Sequence, residues 1–304
     1  MVIMFALAAA VLYGSADFLG GAASRRSQAL SVASLSVPVG ALVMLVAAVV
    51  SGDQAPTAGL GWALAAGGFG AVGLMVFYAG LAAGPMSVVA PVSALVSTVL
   101  PVGVAVASGE HLGVLVYAGA VVCLVATVLV SLERGTPARR PAAARQPAPP
   151  RQPATATRTR FLGDHPALRG LVYGTVCGAM FGIFFVFLRN AGTSGVFWPV
   201  CTSRLANSAV VLAATVLAGA RPVGREAGAR VLAAAGGSGV LDASANLCYV
   251  LATRAGLFGI AAVLTSLYPG ITVLLARVVL GERMQAVQRF GLLLAAAGVI
   301  LVTV

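Results

Sequence analysis

The strongest constraint on this chain is the recurrence of apolar runs about 20 residues long, the length a helix needs to cross the hydrocarbon layer of a bilayer. The runs are Val2–Ala23, Leu30–Val50, Leu60–Leu81, Met86–Ala107, Leu112–Leu132, Leu168–Leu188, Val196–Ala218, Val231–Thr253, Phe258–Val279 and Met284–Val304. In hydrocarbon no water satisfies the backbone, so a spanning segment this long must be an α-helix. The reading is an all-α integral membrane protein of ten transmembrane helices. Composition supports it: 60% of the residues are hydrophobic and 9% charged, against about 25% charged in soluble domains. The last run is the least regular, because Arg289 interrupts it; a guanidinium there can snorkel to the interface.

The net charge of +11 comes from 19 basic residues, all arginine, against eight acids. They sit between apolar runs, which points to membrane surfaces and not to nucleic acid. The four cysteines lie inside apolar runs, without CxxC spacing, and read as free thiols. The start of the chain has no basic segment ahead of its first apolar run, so that run reads as a span and not as a cleaved signal. Neither a metal nor a cofactor is expected. The two histidines, His111 and His165, lie in a turn and at a linker end, and no HExxH, GxSxG or phosphate-binding loop occurs. A membrane-embedded enzyme and a non-transporting scaffold stand as alternative readings of such a chain.

Residues 133–167, rich in Pro, Ala, Arg, Thr and Gln, cannot bury apolar area and read as a disordered linker. It separates two five-helix units, residues 1–132 and 168–304. The units repeat. A shift of 172 carries Phe77 onto Tyr249, Gly84 onto Gly256, Gly109-Glu110 onto Gly281-Glu282 and Gly119 onto Gly291; near the start, a shift of 168 carries Tyr13-Gly14 onto Phe181-Gly182. Five is odd, so the second unit enters the membrane from the opposite side. Such inverted repeats recur among secondary transporters, which bind small molecules near the bilayer midplane. Sixteen arginines fall in one set of loops and only Arg189 and Arg254 in the other, which puts the linker in the cytoplasm and both termini outside. The expected location is the plasma membrane.

The stretch AAVLTSLYPGITVLLARVVLGERMQAVQRFGLLLAAAGVILV resembles the end of an EamA domain of the drug/metabolite transporter superfamily, with Pro269 in the fourth helix, a Gly281-Glu282-Arg283 turn, then Gly291 and Gly298. Gly109-Glu110-His111, Gly119, Pro91 and Pro101 echo it in the first half. Tyr13-Gly14-Ser15 resembles the family's first-helix start, and Trp198-Pro199 with Arg204 its second helix. The resemblance implies two EamA-type repeats and an exporter of small metabolites or drug-like molecules. Ser36 stands where a first-half arginine would be.

Charged groups within spans are expensive and mark candidate sites: Asp17, Arg204 and Asp242. Helical rise puts Arg204 and Asp242 at similar depths on consecutive helices, so they can pair, either as a substrate-facing switch or as a static tie. Asn207 and Ser208 share the Arg204 face; Asn246 and Tyr249 share that of Asp242. Together with Tyr13, Trp198 and Tyr268 these are the candidate substrate-binding and coupling residues. Asp17 has two readings: an interfacial carboxylate neutralised by Arg25 or Arg26, or a proton-coupling carboxylate. Pro91, Pro101, Pro269 and Gly270 mark helix breaks, as at transporter binding sites, or ordinary kinks. Gly109-Glu110 and Gly281-Glu282 read as turns locked by their carboxylates. The expected partners are a small-molecule substrate, the lipid bilayer and a proton; the oligomeric state stays open.

Overall fold

The computed structural model describes residues 1–52, 58–83, 86–110, 113–131, 166–192, 195–221, 223, 228–281 and 285–303. All its regular elements are helices: α1 Val2–Ser24, α2 Ala29–Val50, α3 Leu60–Ala83, α4 Met86–Ala107, α5 Val114–Ser131, α6 Pro166–Gly192, α7 Phe197–Leu217, α8 Ala229–Ala255, α9 Phe258–Thr265, α10 Tyr268–Leu280 and α11 Ala286–Thr303. The ninth span is the pair α9 and α10, so eleven helices make the ten expected spans. α6 begins at Pro166, two residues inside the expected linker; proline suits a first helical position because its missing N–H has no intrahelical use there. The rest of the linker, and Gly84, His111, His165, Glu282 and Arg283, lie outside the described residues.

The expectation of two broken helices holds for one of them. Pro91 and Pro101 lie inside a continuous α4, whereas the span bearing Pro269 divides at Ser266 and Leu267. In both, proline withdraws the amide that the carbonyl four residues earlier would accept. At the divided helix a hydroxyl from another span assists: Thr127 donates to the Ser266 carbonyl at 3.3 Å.

The packing is symmetric. Exchange α1 with α6, α2 with α7, α3 with α8, α4 with α9–α10, and α5 with α11. The α1–α8 interface then becomes α3–α6, α4–α6 becomes the packing of α1 on α9 and α10, and α3–α7 becomes α2–α8, while α2–α7, α4–α9 and α5–α11 map onto themselves. The same exchange holds for single residues. A methyl at Gly119 would come within 2.7 Å of Val302 Cγ2, and one at Gly291 within 2.9 Å of Val130 Cγ2; each pair becomes the other under the shift of 172. Gly182 lies against Leu100 and Gly14 against Tyr268, related by the shift of 168. Reciprocal contacts of this kind are what a two-fold axis produces.

Small residues allow this closeness, as expected where helices associate without a hydrophobic drive between them. The α2–α8 crossing sets Gly239 against the Ser36 carbonyl, and the α3–α7 crossing sets Gly67 against the Ser203 carbonyl. Large apolar side chains such as Val46, Val49, Leu64, Val121 and Leu293 point outward, where a bilayer covers them.

Candidate functional site

The central site is built mainly by α1, α7 and α8. Arg204 on α7 forms an ion pair with Asp242 on α8. The expected depth match is realised because the two helices are consecutive and antiparallel. Burial is uneven: the Arg204 side chain is 6% exposed and that of Asp242 35%. The guanidinium is therefore locked in protein, while the carboxylate keeps a free edge. One turn on, Asn246 donates through Nδ2 to the Asp242 carbonyl at 2.8 Å. Its Oδ1 accepts the Tyr13 hydroxyl at 2.5 Å. A polar chain thus runs from the Arg204–Asp242 ion pair to the Asn246–Tyr13 bond, joined through the Asp242 backbone carbonyl and not its carboxylate, and its Tyr13 end exists because α1 packs along α8.

Aromatic rings flank its Tyr13 end. Tyr13 meets Phe185 edge-on at 6.0 Å and Tyr268 at 6.1 Å. Phe185 lies 4.8 Å from Tyr249, whose hydroxyl donates to the Phe185 carbonyl at 3.4 Å. Rings at such spacing add directional packing to their burial. Trp198 packs against the rim of the same core. Asn207 stays apart from the chain, and its Oδ1 is buried without a hydrogen bond. Ser208 donates to the Arg204 carbonyl at 2.7 Å.

Asp17 is exposed and makes no ion pair among the described residues, so the interfacial pairing with Arg25 or Arg26 is not formed. It lies within electrostatic range of Asp242, Tyr78 and Tyr268. Those side chains come from α8, α3 and α10, so Asp17 faces the space between helices and not the lipid.

Among the described residues Glu110 reaches across to the other repeat. Its carboxylate accepts the backbone amides of Phe258 and Gly259 at 3.0 Å each, capping α9 in the other repeat. Arg189 lies 3.9 Å from Glu110 and stacks 4.6 Å over the Phe258 ring. Gly109 and Gly281 hold left-handed φ of 85° and 67°, conformations that favour glycine.

The charges break the symmetry of the scaffold. Under the shift of 172 Asp242 falls on Gly70, and Asn246 on Leu74. Because the Ser36 and Ser203 carbonyls occupy equivalent crossings, Val37 is the counterpart of Arg204, one residue from the expected Ser36. Sequence reasoning missed Phe185, Tyr78 and Arg189. The first two are aromatics among many in apolar helices; Arg189, in the arginine-poor loop set, did carry a signal.

A ten-span inverted bundle with an ion pair at its centre defines a multi-pass membrane protein. Residues 168–304 match the EamA-like transporter family. A solved crystal structure, 18% identical, matches with a TM-score of 0.72 over 99% of this chain and 96% of its own, which shows the shared fold. No curated protein matches the chain in sequence.

Proposed function

We propose that the protein is a secondary active carrier that exports small metabolites or drug-like molecules across the plasma membrane by alternating access, with Asp17 or Asp242 as the proton-coupling carboxylate. The observation that carries this reading is the polar chain from Arg204 to Tyr13. It is a set of charges placed once in a scaffold that is otherwise duplicated. Buried charge in a membrane is costly, and a purely structural tie would serve equally well in both halves. The free edge of Asp242 and the exposed Asp17 offer groups for a substrate or a proton to engage. The units that rock are residues 1–132 and 168–304, joined by the linker on the cytoplasmic side.

The two faces of the bundle differ in a way that suits rocking. Glu110, Arg189 and Phe258 join the repeats at the face where α1 begins; there Val2 also packs against Gly256. Asp17 lies 15 residues further along α1, about 22 Å toward the opposite face at the helical rise. A clasp at one face and an accessible carboxylate toward the other describe one end state, closed on the side away from the linker.

The test is reconstitution of the purified chain in liposomes loaded with a pooled panel of metabolites and drug-like compounds. Efflux is followed by mass spectrometry with and without a pH gradient. Selective, gradient-dependent loss of one compound class supports the reading. Absence of selective flux from well-folded protein counts against it and favours a scaffold.

A further inference from the structure

α4 and the broken ninth span carry the same short motif. Ser97-Thr98 precedes Pro101 and Thr265-Ser266 precedes Pro269, with the proline four residues after the first member of each pair. The reciprocal packing of Gly182 on Leu100 and Gly14 on Tyr268 makes the two motifs structural equivalents. They meet where α4 and α9 cross the pseudo-two-fold axis. Between them lies a small cavity lined by Ser97, Thr98, Thr265 and Ser266, with the rings of Phe185 and Tyr249 alongside. It has room for a single water-sized occupant.

Three of the lining hydroxyls have committed protons. The Ser97 and Thr98 hydroxyls both donate to the Ala94 carbonyl, at 3.0 and 2.9 Å, and Ser266 donates to the Val263 carbonyl at 2.7 Å. Their protons are committed, so their oxygens have lone pairs left to offer. Thr265 is 2% exposed and its hydroxyl has no partner, a cost that a native core rarely leaves standing without a ligand or water. Pro101 and Pro269 carry no N–H, so the Ser97 and Thr265 carbonyls lack their usual helical donor. α9 also ends here, and a helix C-terminus carries partial negative charge. Hydroxyl lone pairs, donor-deprived carbonyls and a helix C-terminus all favour positive charge. No carboxylate lines the cavity, whereas divalent cations are commonly held by carboxylates.

We propose that this cavity binds one dehydrated monovalent metal cation of about sodium size, held between the Ser97-Thr98 and Thr265-Ser266 motifs of the two repeats. The site is distinct from the Arg204–Asp242 chain, and its occupancy does not depend on the carrier reading. If the chain is a carrier, an ion bridging both repeats at the axis would be released or remade as they rock.

The experiment measures equilibrium binding of radioactive sodium to the purified full-length chain in choline-based buffer. The expected result is saturable binding near one ion per chain. Thr265→Val and Ser97→Ala should each weaken it by about tenfold or more, as loss of a ligand does. Thr253→Ala, on a hydroxyl that bonds the Val250 carbonyl away from the cavity, should leave it unchanged. Absence of saturable binding to the unaltered chain overturns the proposal and leaves the cavity to water. Unchanged binding in folded Thr265→Val and Ser97→Ala overturns the location. Should Thr265→Val fail to fold, Ser97→Ala and the unaltered chain still decide the matter. Flux measured separately in liposomes distinguishes failure of this site from failure of the carrier reading.

Discussion

Glu110 caps the helix that begins at Phe258, from the opposite repeat: its two carboxylate oxygens take the amides of Phe258 and Gly259 at 3.0 Å each. A helix N-terminus has unsatisfied amides and a positive dipole end, so a carboxylate spanning two of them is well matched. Loss of such a cap costs about 1 to 2 kcal/mol. Glu110→Ala should lower the unfolding free energy by about that amount, with Glu110→Gln intermediate because an amide oxygen still accepts one bond. Thermal unfolding in detergent measures this. Equal stability of all three proteins would show that the cap contributes nothing.

Arg204 and Asp242 should respond unequally to removal of a partner. Asp242→Asn leaves a buried guanidinium unpaired, a situation that costs about 3 to 5 kcal/mol. Arg204→Gln leaves a carboxylate that keeps a third of its surface, and should cost visibly less. Exchanging the two residues should recover part of the stability lost in either single reversal. Denaturation of the unaltered chain, Arg204→Asp, Asp242→Arg and the exchanged chain forms a double-mutant cycle, and additive losses would remove the pairing from the account.

Asp17 separates function from folding. It makes no ion pair among the described residues, so Asp17→Asn removes a charge from a span without orphaning a partner and should not lower stability. If Asp17 couples proton movement to transport, the same change abolishes stimulation of efflux by a pH gradient. Retained stimulation would transfer the coupling role to Asp242.

Much of this was legible before the fold was seen, for identifiable reasons. The spans could be read because a bilayer allows few alternatives to a helix of about 20 apolar residues. Arg204 and Asp242 could be matched because consecutive helices keep depth simple to count. Tyr13 and Asn246 could not, since their bond rests on α1 lying along α8, seven spans later. The cap from Glu110 to Phe258 was hidden likewise: a turn glutamate reads as local until the repeats are docked. Pro101 and Pro269 look alike in sequence, yet only one divides its helix. Thr127, which supports the freed Ser266 carbonyl, falls on Val299 under the shift of 172, a residue with no hydroxyl to give α4.

The glycines of α8 give the sharpest test of packing. A methyl at Gly239 would run into the Ser36 carbonyl, a backbone atom that cannot step aside without moving α2. Gly236, one turn earlier on the same helix, has nothing within 4 Å of that position. Alanine is favoured over glycine within a helix by about 1 kcal/mol. Gly236→Ala should therefore be neutral or slightly stabilising. Gly239→Ala should destabilise by about 1 to 3 kcal/mol, the range for overpacking. Gly67→Ala at the equivalent α3–α7 crossing, against the Ser203 carbonyl, should do the same. The comparison is read from thermal unfolding of the three proteins. If Gly239→Ala and Gly236→Ala melt together, the close α2–α8 crossing is not the native one; if Gly239→Ala and Gly67→Ala fall together, the two crossings behave as one interface used twice.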